Sequence, residues 1–268
     1  MVVLYLGDCL EKMKSVADKS VDLIICDLPF GCLTNQSGES KGFARESHKG
    51  TNLEKKLANQ SGKGCAWDIK IDLLEFWNQI KRIRKNDHTP TLMFCTTKYG
   101  YELIKSNEKE FRYDLVWDKE KGVSFLTANK MPMRSHEMIY VFSKAGSNYY
   151  RKDVEGKPYT MKRKEIVNKQ YNVIPINETV NNGTRCVLSV INKSLAEAKH
   201  KGGHPTEKPI DLYKFLIERY SNKDDIVLDP TFGSGNSGLA CIELNRKYIG
   251  IEKDNNFFWK FVKKIIIF

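Results

Sequence analysis

The sequence predicts an α/β protein built on a mainly parallel sheet. Short apolar runs, such as residues 21–26 and 91–95, have the length and composition of buried strands. They alternate with longer stretches of helical periodicity, which is typical of parallel sheets because each helix carries the chain back across the sheet. The 268 residues are enough for one large domain or two small ones with a proper hydrophobic core.

Seven strands are predicted, with helices on both faces of the sheet. The strands are residues 2–6, 21–26, 91–95, 113–117, 138–142, 226–228 and 248–251. The helices are residues 10–16, 71–85, about 99–106, 209–220, a segment that ends at 245, and the C-terminal segment 257–268. We divide the chain into residues 1–143, a small basic insertion at 144–200, and residues 201–268, which complete the first domain. The polar stretch at residues 31–65 is too long to be core, and we expect a mobile loop there.

The charge distribution predicts a polyanionic partner. The formal net charge is +11, which favours nucleic acid, although a lysine-rich proteome would give a similar value. Residues 144–169 hold eight Lys or Arg and three acidic residues, with three tyrosines interleaved. This mixture suits phosphate contact and base stacking, and Arg151, Lys152 and Arg163 are the candidate contacts.

Membrane and metal functions are not indicated. No apolar stretch approaches the roughly 18 residues of a membrane span. The N-terminus lacks the basic start and the cleavage site of a signal peptide, so we expect a cytoplasmic protein, nucleoid-associated or in a host cytosol. The seven cysteines form no Cys-x-x-Cys pair and no zinc-like Cys/His cluster, so we expect reduced thiols and no metal.

A glycine-rich turn near the C-terminus predicts a nucleotide-containing cofactor. Residues 227–238, VLDPTFGSGNSG, follow a predicted strand, open a helix and contain Gly-x-Gly-x-x-Gly. Glu252, at the tip of the next strand, is placed to accept hydrogen bonds from ribose hydroxyls. A plain structural turn is the alternative.

Two features favour S-adenosylmethionine (SAM) over NAD. A dinucleotide fold needs a second mononucleotide half, and only one strand follows the turn. An anion at Asp229 would repel a pyrophosphate but would suit the ammonium group of SAM. The sheet lacks strands after Glu252, and it is completed if the N-terminal strand lies beside the C-terminal one. Asp8 would then reach the adenine end of the cofactor, unless it serves only as a helix N-cap. The cofactor candidates are Asp8, Asp229, Pro230, Phe232, Gly233, Ser234, Gly235, Asn236, Ser237, Glu252 and Lys253.

Several motifs in one order resemble a known family. DLPF at residues 27–30, followed by DPTFGSG at 229–235, resembles the beta group of DNA amino-methyltransferases, which are circularly permuted. AWD, DLVWDK, RSHEMIYVF and HPTEKP, at 66–68, 114–119, 134–142 and 204–209, resemble further motifs of that group. The resemblance covers most of the chain except residues 31–65 and 144–200. It implies a Rossmann-like SAM-dependent fold, target recognition by residues 144–200, double-stranded DNA as substrate, a restriction–modification, phage or epigenetic setting, and a possible homodimer.

The chemistry of this family explains the acid at the end of a core strand. An exocyclic amine conjugated to a base is a poor nucleophile, and acceptors on its N–H bonds free the nitrogen lone pair. Asp27 and a carbonyl near Leu28 or Pro29 are the candidate acceptors, and Phe30 can stack on a base that has been flipped out of the duplex. The resemblance also implies N6 of adenine as the target, since position 27 is Asp and not Ser.

Other interpretations remain open. Leu28 replaces the family's first proline, and Asn236-Ser237 replaces its common hydroxyl pair. Trp67 and His136 are further candidates for target contact, the latter in a His-Glu pair with a structural or base-pocket role. The alternatives are an N4-cytosine enzyme, an RNA or protein-glutamine methyltransferase, a catalytically dead DNA-binding protein and, more remotely, an NAD-dependent oxidoreductase.

Overall fold

A computed structural model describes residues 1–31, 69–123, 125, 128–163, 166–168, 172–174, 177–194 and 207–267. The chain forms two compact units, residues 1–149 with 189–268 and residues 150–188. Nearly all of the predicted loop at residues 31–65, together with Trp67, lies outside the described residues. The predicted insertion at 144–200 extends beyond the smaller unit at both ends.

The larger unit is built on an eight-stranded sheet. Its strands are β1 (Val2–Leu6), β2 (Leu23–Cys26), β3 (Thr91–Cys95), β4 (Phe111–Val123), β5 (Arg134–Phe142), β12 (Val190–Asn192), β13 (Ile226–Asp229) and β14 (Lys247–Glu252). They lie in the order β1-β14-β13-β2-β3-β5-β4-β12, and every neighbouring pair is parallel except those that β5 makes. This arrangement confirms the mixed, mostly parallel α/β sheet.

The prediction of seven strands was wrong by one. The missed strand, β12, pairs in parallel with β4 at the edge of the sheet. It has three residues, of which only Ile191 is buried. A run this short carries too little alternation to be recognised as a strand from the sequence.

Helices pack on both faces of the sheet. They are α1 (Cys9–Met13), α2 (Leu73–Ile83), α3 (Thr97–Ser106), α4 (Ile210–Tyr220), α5 (Asn236–Glu243) and α6 (Asn255–Ile267), with a 3-10 turn at Glu108–Glu110. Along β2, Leu23 and Ile25 face one hydrophobic cluster, while Ile24 and Cys26 face another. Because both faces of the strand are covered, its sequence is a continuous apolar run.

The first and last strands lie side by side, as the permuted order predicts. β1 pairs in parallel with β14 from Val2–Tyr248 to Leu6–Glu252. The Gly7 amide then donates to the Glu252 carbonyl oxygen at 2.9 Å. Since β13 pairs in parallel with both β14 and β2, the carboxyl ends of these four strands meet at one edge of the sheet.

The smaller unit consists of short antiparallel pairs. β6 (Val154–Glu155) pairs with β11 (Thr184–Arg185), β7 (Tyr159–Arg163) with β10 (Asn177–Asn181), and β8 (Ile166–Asn168) with β9 (Asn172–Ile174). The Arg185 guanidinium lies 4.5 Å from the centre of the Tyr159 ring. This stacking links the β6–β11 pair to the β7–β10 pair.

Within the described ranges, no helix has the length and apolar character needed to cross a membrane. The same residues include no group of three His, Cys, Asp or Glu side chains arranged to hold a metal ion.

Substitution at Gly235 tests the packing beneath the glycine turn. Gly235 has φ +80°, and a β-carbon there would overlap the Phe261 ring of α6. We expect Gly235→Ala to lower the free energy of unfolding by about 2–4 kcal/mol, through backbone strain and overpacking. Gly146→Ala is the matched control, because its β-carbon would meet no atom within 4 Å. Urea unfolding should separate the two variants, and equal stabilities would contradict this packing.

Candidate active site

A cavity of about 320 Å³ opens at the carboxyl edge of the sheet. Segments far apart in the sequence contribute to its wall. The predicted site residues that line it are Asp8, Asp27, Leu28, Pro29, Phe30, Pro230, Phe232, Gly233, Ser234, Glu252 and Lys253. The acid-Pro-aromatic segment and the glycine turn therefore share one cavity.

The acid-Pro-aromatic segment is fixed on both sides. The Thr231 hydroxyl donates to the Asp27 carbonyl oxygen at 3.1 Å, which ties this segment to the glycine turn. Leu28, the residue in place of the family's first proline, is buried in the same hydrophobic cluster as Ile24 and Cys26. Phe30 packs on Tyr99 with ring centroids 5.0 Å apart. The segment is thus held by packing as well as by Pro29.

The Asp27 side chain is paired with a buried lysine. Lys208, immediately before Pro209 and α4, forms an ion pair with the Asp27 carboxylate. Burial raises the pKa of Asp27, the Lys208 ammonium opposes that shift, and Glu137 adds to it. Burial alone would lower the pKa of Lys208, but Asp27 and Glu137 together raise it. The pKa of Asp27 is raised on balance, and Lys208 is the group that most strongly opposes this rise.

Two backbone amides, one of them from the glycine turn, hold the Glu252 carboxylate. Gly233, with φ +52°, donates its amide to Glu252 Oε2 at 2.8 Å, and the Asp254 amide donates to Oε1 at 2.7 Å. Burial raises the pKa of Glu252, and these two amides oppose that shift. Each carboxylate oxygen keeps a second lone pair, so Glu252 can still accept hydrogen bonds from ligand hydroxyls.

Asp8 caps a helix and also lines the cavity. Its Oδ1 accepts from the Leu10 amide at 3.0 Å, which caps α1. Lys253 Nζ lies 3.2 Å from its Oδ2, and both side chains line the cavity. The cap therefore fixes a carboxylate at the cavity wall.

Part of the predicted cofactor set does not line the cavity. These residues are Asp229, Gly235, Asn236 and Ser237. Asp229 is 1% exposed, and its carboxylate accepts from the Thr231 amide at 3.0 Å and from the Ser237 hydroxyl at 2.6 Å. Burial raises the pKa of Asp229 to about 7. Asp229 thus braces the turn and the start of α5 from inside the protein.

The predicted target contacts are spread over both units. His136 on β5 is exposed and does not line the cavity, whereas the adjacent Glu137 does. Arg151 and Lys152 are exposed in the smaller unit, and Arg151 pairs with Asp153 at 2.6 Å. Arg163 ends β7, and its side chain lies outside the described part of the chain.

Sequence reasoning missed several residues of the cavity wall, among them Glu207, Lys208 and Tyr213. Glu207 and Lys208 belong to the quoted HPTEKP segment, so the resemblance marked their neighbourhood without giving them a role. Lysine is usually exposed and is rarely buried unless it is paired. The residue type therefore gave no sign that Lys208 is buried beside Asp27.

Comparison with known proteins agrees with this architecture. The family model for N6/N4 DNA methylases matches residues 21–263. The Type II methyltransferase M.HinfI of Haemophilus influenzae is 25% identical over 94% of this chain and 64% of its own length. The DNA adenine methyltransferase YhdJ of Escherichia coli K12 is 26% identical over 94% of this chain and 78% of its own. The chain thus spans less than two thirds of M.HinfI but more than three quarters of YhdJ.

Solved structures show the same fold. The M1.HpyAVI–SAM complex superposes with a TM-score of 0.56 at 22% identity, over 98% of this chain and all of that chain. The cytosine-N4-specific PvuII DNA methyltransferase has a TM-score of 0.62 at 17% identity, over 97% of this chain and 85% of that chain. Because the family model spans most of the chain and the sheet has the expected permuted order, this protein belongs to the N6/N4 DNA methylase family.

Proposed function

We propose that this chain is a SAM-dependent DNA methyltransferase that methylates N6 of an adenine flipped out of duplex DNA. The observation that carries the proposal is the shared cavity between Asp27–Phe30 and the turn at Gly233. The Asp27–Phe30 side offers hydrogen-bond acceptors and an aromatic ring for a base. The glycine-turn side lets the backbone come close to a cofactor and offers the carboxylate of Glu252. The family membership supports methyl transfer to DNA.

The cavity residues fit SAM. When bound, SAM supplies a methyl group on a positively charged sulfur. Glu252 would accept hydrogen bonds from the ribose hydroxyls, Asp8 would hold the adenine end, and the backbone at Gly233 and Ser234 would hold the amino acid part; all four residues line the cavity. The SAM complex of the M1.HpyAVI protein supports this choice of cofactor.

The acid-Pro-aromatic segment prepares the target amine. Asp27 accepts a hydrogen bond from one N–H, and the backbone carbonyl near Leu28 accepts from the other, so the lone pair becomes available for attack. The nitrogen forms a bond to the methyl carbon while the carbon–sulfur bond breaks, with its electron pair left on sulfur. The methylated amine then loses a proton, which Asp27 accepts and passes to solvent. Stacking of the base on Phe30 contributes roughly 1–3 kcal/mol.

Adenine is favoured over cytosine by the acid at position 27 and by the likeness to YhdJ. The PvuII protein, which shares the fold, is cytosine-N4-specific, so N4-cytosine is the second candidate. The Type II designation of M.HinfI supports a restriction–modification setting. The exposed Arg151 and Lys152, in a chain of net charge +11, suit contact with DNA phosphates.

The direct test is transfer of a labelled methyl group from SAM to duplex DNA, RNA and protein. We expect label in duplex DNA, recovered as N6-methyladenine after digestion to nucleosides. Label in N4-methylcytosine would select the second candidate. Label only in RNA or protein, or in none of the three substrates, would contradict the proposal.

Replacing Asp27 should abolish transfer and leave DNA binding intact. Asp27→Asn keeps the shape but cannot take the amine proton, so we expect the single-turnover rate to fall by about 10²-fold or more. Asp27→Ala removes the acceptor as well and should lose at least as much. A gel-shift assay measures DNA affinity in parallel, and full retained activity would contradict the assignment.

Replacing Glu252 should weaken cofactor binding. Glu252→Ala removes a charged acceptor, so we expect SAM to bind about ten- to a hundredfold more weakly by calorimetry. Asp87→Ala is the control, because Asp87 is an exposed acid, paired with Lys144, that does not line the cavity. If both variants bind SAM as the parent does, the ribose role of Glu252 is wrong.

A further inference from the structure

Beside the cavity, four side chains of alternating charge form a continuous chain. Lys119 Nζ lies 2.5 Å from Glu137 Oε1, and Lys208 Nζ lies 3.7 Å from Glu137 Oε2. The same ammonium group is paired with Asp27 Oδ2. The side chains of Lys119 and Lys208 are only 7% and 4% exposed. We call these residues the charge chain.

Lys208 is the most deeply placed member of the charge chain. Its ammonium lies 4.6 Å from the centre of the Phe94 ring, and its carbonyl oxygen accepts from Asn236 Nδ2 at 2.8 Å. Asn236 is the first residue of α5, directly after the glycine turn. These contacts fix Lys208 between β3 and α5, so the position of its charge is well defined.

A lysine in this position needs an explanation. Burial of an ion pair costs free energy that its attraction does not always recover, and an apolar residue is often at least as stable there. Asp27 Oδ1 is also buried and has no hydrogen-bond partner among the described residues. Stability alone therefore gives little reason for an ammonium at position 208, whereas the chemistry assigned to Asp27 does.

We propose that Lys208 is a positioning residue that holds Asp27 ionised at the cavity, and that their ion pair sets the acid limit of methyl transfer. The inference rests on the proposed function, because it requires Asp27 to accept the proton of the methylated amine. Glu137 and Lys119, the outer members of the charge chain, adjust the strength of that ion pair.

The direction of each effect follows from the charges. Burial raises the pKa of Asp27, Lys208 lowers it and Glu137 raises it. Without the cation at 208, Asp27 takes up a proton at higher pH, so transfer stops at higher pH as the solution is acidified. Without the anion at 137, Asp27 stays ionised to lower pH. The two substitutions should therefore move the acid limb of the pH–rate profile in opposite directions.

Other titratable groups also lie near Asp27. The groups are Cys26, Cys95, Tyr99, Tyr213 and Asp229, with Glu207 beside Lys208 on the cavity wall. Burial raises the pKa of each of these thiols and phenols, so they stay neutral. Asp229, whose pKa burial raises to about 7, titrates in the working range and also interacts with Lys208, so its titration changes as well in Lys208→Met. Glu137→Gln keeps the cation at position 208 and therefore separates the titration of Asp27 from that of Asp229.

The experiment records single-turnover methyl transfer to duplex DNA, at saturating SAM, from about pH 5 to 9. The parent is compared with Lys208→Met, which keeps the length of the side chain, and with Glu137→Gln, which keeps its shape. We expect the acid-limb midpoint to rise by about one pH unit or more in Lys208→Met, and to fall in Glu137→Gln. A purely structural role would lower both rates by a constant factor and leave both midpoints unshifted, and that result would overturn the inference.

Thermal melting and SAM affinity establish that each variant is folded. If Lys208→Met does not fold, Glu137→Gln decides alone: a midpoint at lower pH supports the inference and an unshifted midpoint overturns it. A parent protein that methylates no DNA at any pH would overturn the proposed function and this inference together. An active parent whose profile coincides with those of both variants would overturn only the role of Lys208.

Discussion

The parallel pairing of β13 with both β14 and β2 is the constraint on which the site depends. It places the carboxyl end of an early strand beside the carboxyl end of a late one, so that Asp27 and the turn at Gly233 share a wall. The pairing of β1 with β14 extends the same edge and brings Asp8 beside Lys253. A site at the carboxyl ends of parallel strands is where open α/β sheets bind ligands.

Much of this architecture could be predicted from the sequence. The apolar runs predicted seven of the eight strands of the large sheet, and the presence of only one strand after the glycine turn predicted that β1 lies beside β14. The edge strand at Val190–Asn192 was missed because three residues do not establish a period. The longer strands can thus be recognised from the local sequence pattern, whereas a short edge strand forms only because of its pairing in the folded protein.

The site was less predictable than the fold. The sequence placed Asp229 next to the glycines and suggested that it faces a ligand, but the sheet turns its carboxylate inward to Ser237 and the Thr231 amide. Lys208 is the opposite case. A lysine before a proline at the start of a helix is usually solvent-exposed, but Lys208 is buried. Both cases depend on the direction of a side chain and on its partners, which residue spacing does not encode.

The central claim is that cofactor and target amine meet in the cavity between Asp27 and Gly233. A crystal structure of the protein with a SAM analogue that lacks a transferable methyl group tests it most directly. The ligand hydroxyls should lie at Glu252, and the position that carries the methyl group in SAM should point toward Asp27. A ligand bound elsewhere, or one whose sulfur end points away from Asp27, would contradict the claim.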